Sequence, residues 1–335
     1  MIQKHHNRIA VPISPTPENC WVLTDGKAGD ETQCIGVAEA LGTGYEIRKV
    51  APRPPFSWAM PWGPIDPRER ESRSGSPIAL PFPDIVIASG RRAVAYLRRV
   101  KKASNGRTFT VFLKDPRTGP ETADLIWVPE HDSLRGANVL TTPTAPHRFT
   151  RQVLSGLRAK PNPQIDALVH PRVAVLIGGN SRHHTFTESD IENLSAALNR
   201  LMDEDGASLM ITASRRTPEP LKLRLEQLAA SRNCLMWSGA GENPLANYLA
   251  KADAIVVTAD STNMIGEAAA TGKPVHVFKP HGDHPKIDRF LGTLASLGII
   301  HPFPGPLKNT TYEPLDSTPM IASEILKRFA RHRTG

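Results

Sequence analysis

A chain of 335 residues is longer than one ordinary hydrophobic core fills, and it fits two domains. Hydrophobic residues make up 39% and charged residues 22%, the balance of a globular protein. No apolar run approaches the roughly 18 to 20 residues that span a bilayer. The net charge of +8 suits phosphate-rich ligands or an anionic membrane surface. The basic residues are scattered and match no nucleic-acid-binding signature, so no nucleic-acid partner is expected.

Residues 1–18 have no apolar secretory core and read as a tail. Cys20, Cys34 and Cys234 match neither a metal knuckle nor a disulfide framework, in keeping with a reducing cytosol. A strand is predicted at 20–25, a glycine loop at 26–29 and a helix at 31–41, followed by strands at 45–50 and 84–88. A helix then runs to 100, with strands at 108–113 and 125–128. Residues 51–83 interrupt this alternation with prolines, Phe56, Trp58, Met60 and Trp62, and a charged run. They read as an insertion that is either functional or loose, with an aromatic and basic mixture suited to a membrane interface.

A second series starts at Arg172, with strands at 173–177, 208–212, 235–238, 254–257 and 275–278 and helices at 188–202, 220–230 and 265–270. A basic helix at 317–335 closes the chain. Strand–helix alternation implies parallel sheets with right-handed crossovers. The expected fold is therefore α/β, with two Rossmann-like domains facing across a cleft. The first domain spans 19–160, a proline-marked hinge 161–171, and the second domain 172–316.

Ligands of open parallel sheets bind beyond the carboxyl ends of the strands. In the second half, the loops there hold Gly178, Gly179, Asn180 and Ser181, then Ser214, Arg215 and Arg216, then Asp260, Ser261, Thr262 and Asn263. Glycine and hydroxyl residues let backbone amides approach phosphate, and either arginine can neutralise its charge. Glu267, about one turn into the following helix, can hold a sugar's hydroxyls. The sequence has no G-x-G-x-x-G fingerprint and no G-x-x-x-x-G-K-S/T loop, which argues against nicotinamide and triphosphate enzymes.

In the first half, Gly26, Lys27, Gly29, Arg91, Asp115 and Arg117 would line the acceptor wall. The candidate bases are Asp25, Asp115, His131, Asp132 and His147, with His131 and Asp132 foremost. The adjacent His183 and His184 rarely face one ion, so no metal is expected.

Seven motifs then carry a resemblance. Thr24-Asp25-Gly26-Lys27-Ala28-Gly29, Ser89-Gly90-Arg91-Arg92, Asp115-Pro116-Arg117 and Pro129-Glu130-His131-Asp132 lie in the first half. Ile177-Gly178-Gly179-Asn180-Ser181, Ser214-Arg215-Arg216-Thr217 and Thr258-Ala259-Asp260-Ser261-Thr262-Asn263-Met264 lie in the second. In this order they resemble bacterial relatives of the plant elongated-mitochondria fission factor, over about residues 20–330.

That resemblance implies a GT-B glycosyltransferase. It would need no cofactor, would take a nucleotide-diphosphate sugar as substrate, and would serve an envelope or lipid-linked acceptor. It would be cytoplasmic, peripheral on the inner face of the membrane. The second half is also similar to the donor half of MurG-type glycosyltransferases. That likeness gives Ser261 and Thr262 to the nucleotide and Glu267 to the ribose. The first half departs from the MurG pattern: Gly26-Lys27-Ala28-Gly29 carries no histidine, which leaves the base open. The alternative is a membrane-surface scaffold with a remnant pocket, since the plant relative is associated with recruiting a dynamin-type fission protein.

Overall fold

Six strands form the first parallel sheet: β1 (Asn19–Thr24), β2 (Gly44–Lys49), β3 (Ile85–Ser89), β4 (Phe109–Leu113), β5 (Leu125–Pro129) and β6 (Val139–Thr142). Their order is β2-β1-β3-β4-β5-β6. Six more form the second: β7 (Arg172–Ile177), β8 (Ser208–Ala213), β9 (Leu235–Trp237), β10 (Ala254–Thr258), β11 (Val275–Phe278) and β12 (Ile300–Phe303). Their order is β12-β11-β10-β7-β8-β9. This is a computed structural model, and it describes residues 16–231, 234–237 and 239–334. The first 15 residues of the expected tail lie outside the described residues.

The helices are α1 (Ala28–Leu41), α2 (Phe56–Ala59), α3 (Ala93–Ala103), α4 (Arg151–Ala159), α5 (Pro163–Asp166) and α6 (Glu188–Glu204). They continue with α7 (Glu219–Ser231), α8 (Leu245–Lys251), α9 (Thr262–Ala269), α10 (Pro285–Ser296) and α11 (Thr318–Thr334). The central strands β3, β4 and β10 are buried along their whole length, because helices cover both sheet faces. That burial selects continuous Ile, Val, Phe and Leu runs over alternation. At α6 the start is fixed by a reciprocal capping box between Thr187 and Asp190.

Each sheet reverses its winding once, between β1 and β3 and between β7 and β10. Crevices at such switch points, beyond the strands' carboxyl ends, are where doubly wound sheets hold ligands. The switch points thus locate two places to look for chemistry.

The chain leaves the first sheet earlier than the hinge expected at 161–171. Leu154 of α4 and Ile165 and Leu168 of that hinge are buried in the second sheet's core. Arg158 Nε also donates to the Ala250 carbonyl at 2.9 Å. Prolines mark this segment, but apolar burial decides where it belongs. On its return the chain delivers Ile321, Ile325 and Phe329 of α11 into the first sheet's core. The closing helix is therefore a working part of the first unit. The two crossing segments are bonded to each other: Thr144 Oγ1 lies 2.8 Å from Ser317 Oγ, and the His147 N–H donates to Thr318 Oγ1 at 3.0 Å.

The insertion 51–83 is a built element. Met60 and Ile78 are fully buried against α3. The buried Asp66 carboxylate receives Arg53 Nε and Nη2, each at 2.8 Å.

Candidate functional site

At the second switch point the loops after β7, β8 and β10 are tied into one platform by a buried carboxylate. Asp260 accepts from the Gly179 N–H at 3.0 Å, from Thr258 Oγ1 at 2.6 Å and from Arg216 Nη2 at 3.0 Å. Gly178 and Gly179 are glycines for a steric reason. A Cβ on Gly178 would lie 2.2 Å from the Asp260 carboxylate, and one on Gly179 would lie 2.0 Å from the Arg216 carbonyl. Ser214 Oγ and Thr217 Oγ1 both donate to the Gly178 carbonyl. Asn180 Oδ1 receives the Phe186 N–H, and Ser181 Oγ receives the His183 and His184 N–H groups.

Most of the polar groups in these loops therefore hold the loops themselves. Arg216, expected to neutralise phosphate, spends its guanidinium on Asp260 and the Asn180 carbonyl. Arg215 is exposed. Ser261 caps α9 by accepting from the Met264 N–H, and Thr262 and Asn263 form the first turn beside it.

Glu267, in the same helix, has no hydrogen bond or counter-charge among the described residues, and burial pushes its carboxyl up to about 8. An unpartnered, partly buried acid carries a desolvation cost that a ligand donor would relieve.

The α9 N-terminus faces a cavity of about 490 Å³ between the two sheets. From the second unit, Asp260, Ser261, Thr262, Asn263, His284 and Lys286 line it. From the first, Gln33, Lys114, Asp115, Arg117, His131 and Asp132 do so. The walls are bonded across the gap. Gln33 Nε2 donates to Asn263 Oδ1 at 3.0 Å, Lys286 pairs with Asp132, and Arg289 donates to the His131 carbonyl at 3.1 Å. Gln33 Oε1 is buried with no partner. Glu267 does not line this cavity.

The candidate bases separate by environment. His131 lines the cleft with its ring edge-on to Phe290 at 5.5 Å, and burial lowers its pKa, which keeps the imidazole neutral, with a free lone pair, at pH 7. Asp132 is engaged by Lys286. Asp115 accepts from the Arg117 N–H at 2.8 Å. His147 sits buried at the crossover, 3.6 Å from Asp316, and does not line the cleft cavity. Asp25 lies at the first switch point with its side chain 3% exposed and Oδ1 unpartnered, 3.6 Å from Lys27.

Around Asp25, the Gly26 N–H is held by Thr24 Oγ1 at 3.0 Å. The position a Cβ would take on Gly29 lies 3.5 Å from Asn263 of the facing unit. Arg91 binds the Met60 and Trp58 carbonyls and so anchors the insertion.

Sequence reasoning assigned no site role to Lys286, His284 or Gln33, placed Lys114 only within the 114–117 loop of the cleft wall, and put Asp260 among the ligand loops without seeing it as their brace. The positive φ of 111° at Lys114, rare for a side-chain-bearing residue, is visible only in three dimensions. Asp203-Glu204-Asp205 has Asp-x-Asp spacing, but it ends α6, at the edge of the sheet opposite the cleft. Tyr45 and Lys49 have Tyr-x-x-x-Lys spacing, but they lie on the edge strand β2, with the Tyr45 hydroxyl on Glu39. Among the described residues no cluster is arranged to hold a metal ion, and no helix is long and apolar enough to cross a membrane.

Two six-stranded parallel sheets enclosing a cleft define an α/β protein of the GT-B type. The chain belongs to the Mitochondrial fission ELM1 family, whose model matches residues 28–329. The Arabidopsis thaliana Mitochondrial fission protein ELM1 is 27% identical over 275 residues, which are 74% of this chain and 64% of the plant protein. The chain thus spans just under two thirds of that relative's length.

Among solved structures, UDP-GlcNAc 2-epimerase from Methanocaldococcus jannaschii shares the fold. Its TM-score is 0.54 at 10% identity, over 92% of this chain and 99% of that one. MurG from Acinetobacter baumannii aligns over 95% of each chain at 15% identity with a TM-score of 0.47, a likeness on which nothing further rests.

Proposed function

We propose that the protein binds a nucleoside-diphosphate sugar in the cleft and transfers the sugar, without a metal, to a hydroxyl of an envelope or lipid-linked acceptor. The observation that carries this reading is the convergence of the α9 N-terminus with Lys114, Arg117 and Lys286 on one cavity between the sheets. A helix N-terminus and Arg117, joined by Lys114 and Lys286 as they turn from Asp30 and Asp132, can take up the charge of a leaving diphosphate.

In the step itself, the acceptor oxygen bonds to the anomeric carbon as the bond from that carbon to the diphosphate oxygen breaks. The electron pair leaves with the diphosphate. His131, neutral in the cleft wall, takes the acceptor's proton. Glu267 lies further along α9, behind the cavity's lining, and receives the ribose hydroxyls if the nucleoside end of the donor extends past that lining. That the fold also serves an enzyme named for UDP-GlcNAc agrees with the donor class.

The test is calorimetric titration of uridine and guanosine diphosphates into the wild type and Glu267→Ala. One nucleotide should bind the wild type, and the variant should lose about tenfold or more in affinity. Absence of binding by both, or equal binding by the variant, removes the donor assignment.

A second reading, a membrane-surface scaffold, is favoured by the insertion. Trp58 and Trp62 are 73% and 66% exposed, and Arg70, Arg98 and Lys102 line a surface cavity beside Trp62. Sedimentation with phosphatidylserine vesicles should fall in a Trp58→Ala, Trp62→Ala variant if that surface binds lipid, and should be absent from both proteins if it does not.

A further inference from the structure

A second cavity, also of about 490 Å³, opens at the first switch point. Lys27 after β1 and Arg91 after β3 supply one side, and Lys114 and Arg117 after β4 another. Arg182 reaches in from the second unit, and Pro61 and Trp62 of the insertion close the outer wall. Trp62 Nε1 is fixed there by the Arg117 carbonyl at 3.3 Å.

Five cations thus face two lining carboxylates, Asp30 and Asp115, with Asp25 buried behind Lys27. Asp30 is taken by Lys114, and Asp115 by the Arg117 N–H. Arg182 has no ion-pair partner among the described residues. The N-termini of α1 and α3 also point here, and neither has a side-chain cap, although at α3 the Ala93 N–H is taken by the Gly90 carbonyl at 3.1 Å. Lys114, Asp115 and Arg117 line both this cavity and the cleft cavity, which makes the two neighbours through a shared wall.

We propose that this second cavity is a subsite for a phosphate-bearing acceptor, so that the enzyme joins two anionic substrates across the 114–117 turn. The assignment rests on the glycosyl-transfer reading above, but it is separable from it. The surplus of cations, the uncapped helix ends and the switch-point position all call for a ligand with concentrated negative charge. An uncharged sugar acceptor would leave Arg182 without a role. Trp62 supplies an apolar face for the part of the acceptor that carries the phosphate.

The test uses the full chain, with sn-glycerol 3-phosphate as probe of this subsite and uridine diphosphate as probe of the cleft. Calorimetry is run on the wild type, on a Lys27→Gln, Arg182→Gln variant and on Glu267→Gln, with thermal melts to confirm folding. Lys27 and Arg182 line only the second cavity, so their replacement should weaken glycerol phosphate about tenfold or more and change uridine diphosphate affinity by less than about twofold. Glu267→Gln should do the reverse.

No glycerol phosphate binding up to about 10 mM, or equal weakening of both probes by the double variant, overturns the subsite. If uridine diphosphate fails to bind while glycerol phosphate binds and shows the predicted loss, the donor reading falls and the anion subsite stands.

Discussion

The Asp260 carboxylate fills the space that a side chain on Gly178 would need, 2.2 Å from where its Cβ would lie. That carboxylate also holds Gly179, Thr258 and Arg216, so the collision cannot be relieved without dismantling the platform. Gly178→Ala should destabilise the protein by about 1 to 3 kcal/mol, the usual cost of overpacking a rigid interior. Urea denaturation would measure it, and an unchanged midpoint would mean that Asp260 can swing aside.

Asp132 and Lys286 bridge the two units, with Arg289 donating to the neighbouring His131 carbonyl. Their side chains are 18% and 45% exposed, so the pair itself is worth less than about 1 kcal/mol. Its effect should appear in the geometry of the cleft. Lys286→Ala, Arg289→Ala should leave the melting temperature nearly unchanged yet raise the radius of gyration in solution scattering. In the wild type, added salt should produce part of the same opening. Identical scattering curves would show that the Gln33–Asn263 bond and the crossover contacts suffice.

The sheet cores were legible because strands buried on both faces are written as unbroken apolar runs, as in β3 and β10. The missed strands lie at sheet edges. β6 is only partly buried, and β12 carries Pro302, which a central strand would not tolerate. The α10 helix starts on His284 and Pro285, and a histidine cap is a weak sequence signal. At the cavity, Ser261 to Asn263 were expected because capping chemistry is local. Lys286 was not, since it reaches the cavity only where the two units meet. The same separation explains Arg216: its partner Asp260 lies 44 positions away, so nothing local distinguished a loop brace from a phosphate ligand.

Glu267 predicts a stability profile. Its carboxyl is pushed from the ordinary 4.5 up to about 8 by burial. Between those values the folded protein keeps a proton that the unfolded chain has released. Stability therefore falls as pH rises from 4.5 to about 8 and levels off above. Glu267→Gln removes this dependence. Its melting temperature relative to wild type should be higher at pH 8.5 than at pH 5.5, and a constant difference across that range would contradict a raised carboxyl.

Asp66 predicts the opposite slope and a local event. Arg53 holds its carboxyl well below the usual carboxylate range, so its contribution is present above pH 3.8 and is lost as pH falls below that toward the depressed value. Asp66→Ala strips the acceptor from Arg53 Nε and Nη2 and from the Arg53 and Arg68 N–H groups at once. Breaking a buried pair costs about 3 to 5 kcal/mol, and half-exposed Arg53 regains part of this from water, which leaves roughly 2 to 3 kcal/mol. Because the donors belong to the insertion, the loss should loosen 51–83 ahead of the sheets. Trypsin should then cut the variant near Arg68 to Arg73 under conditions where the wild type stays whole. If the variant resists cleavage as well as the wild type, burial of Met60 and Ile78 anchors the segment without Asp66. If it is cut, the wall that Pro61 and Trp62 give to the second cavity depends on an ion pair remote from that cavity, and glycerol phosphate binding should weaken with it.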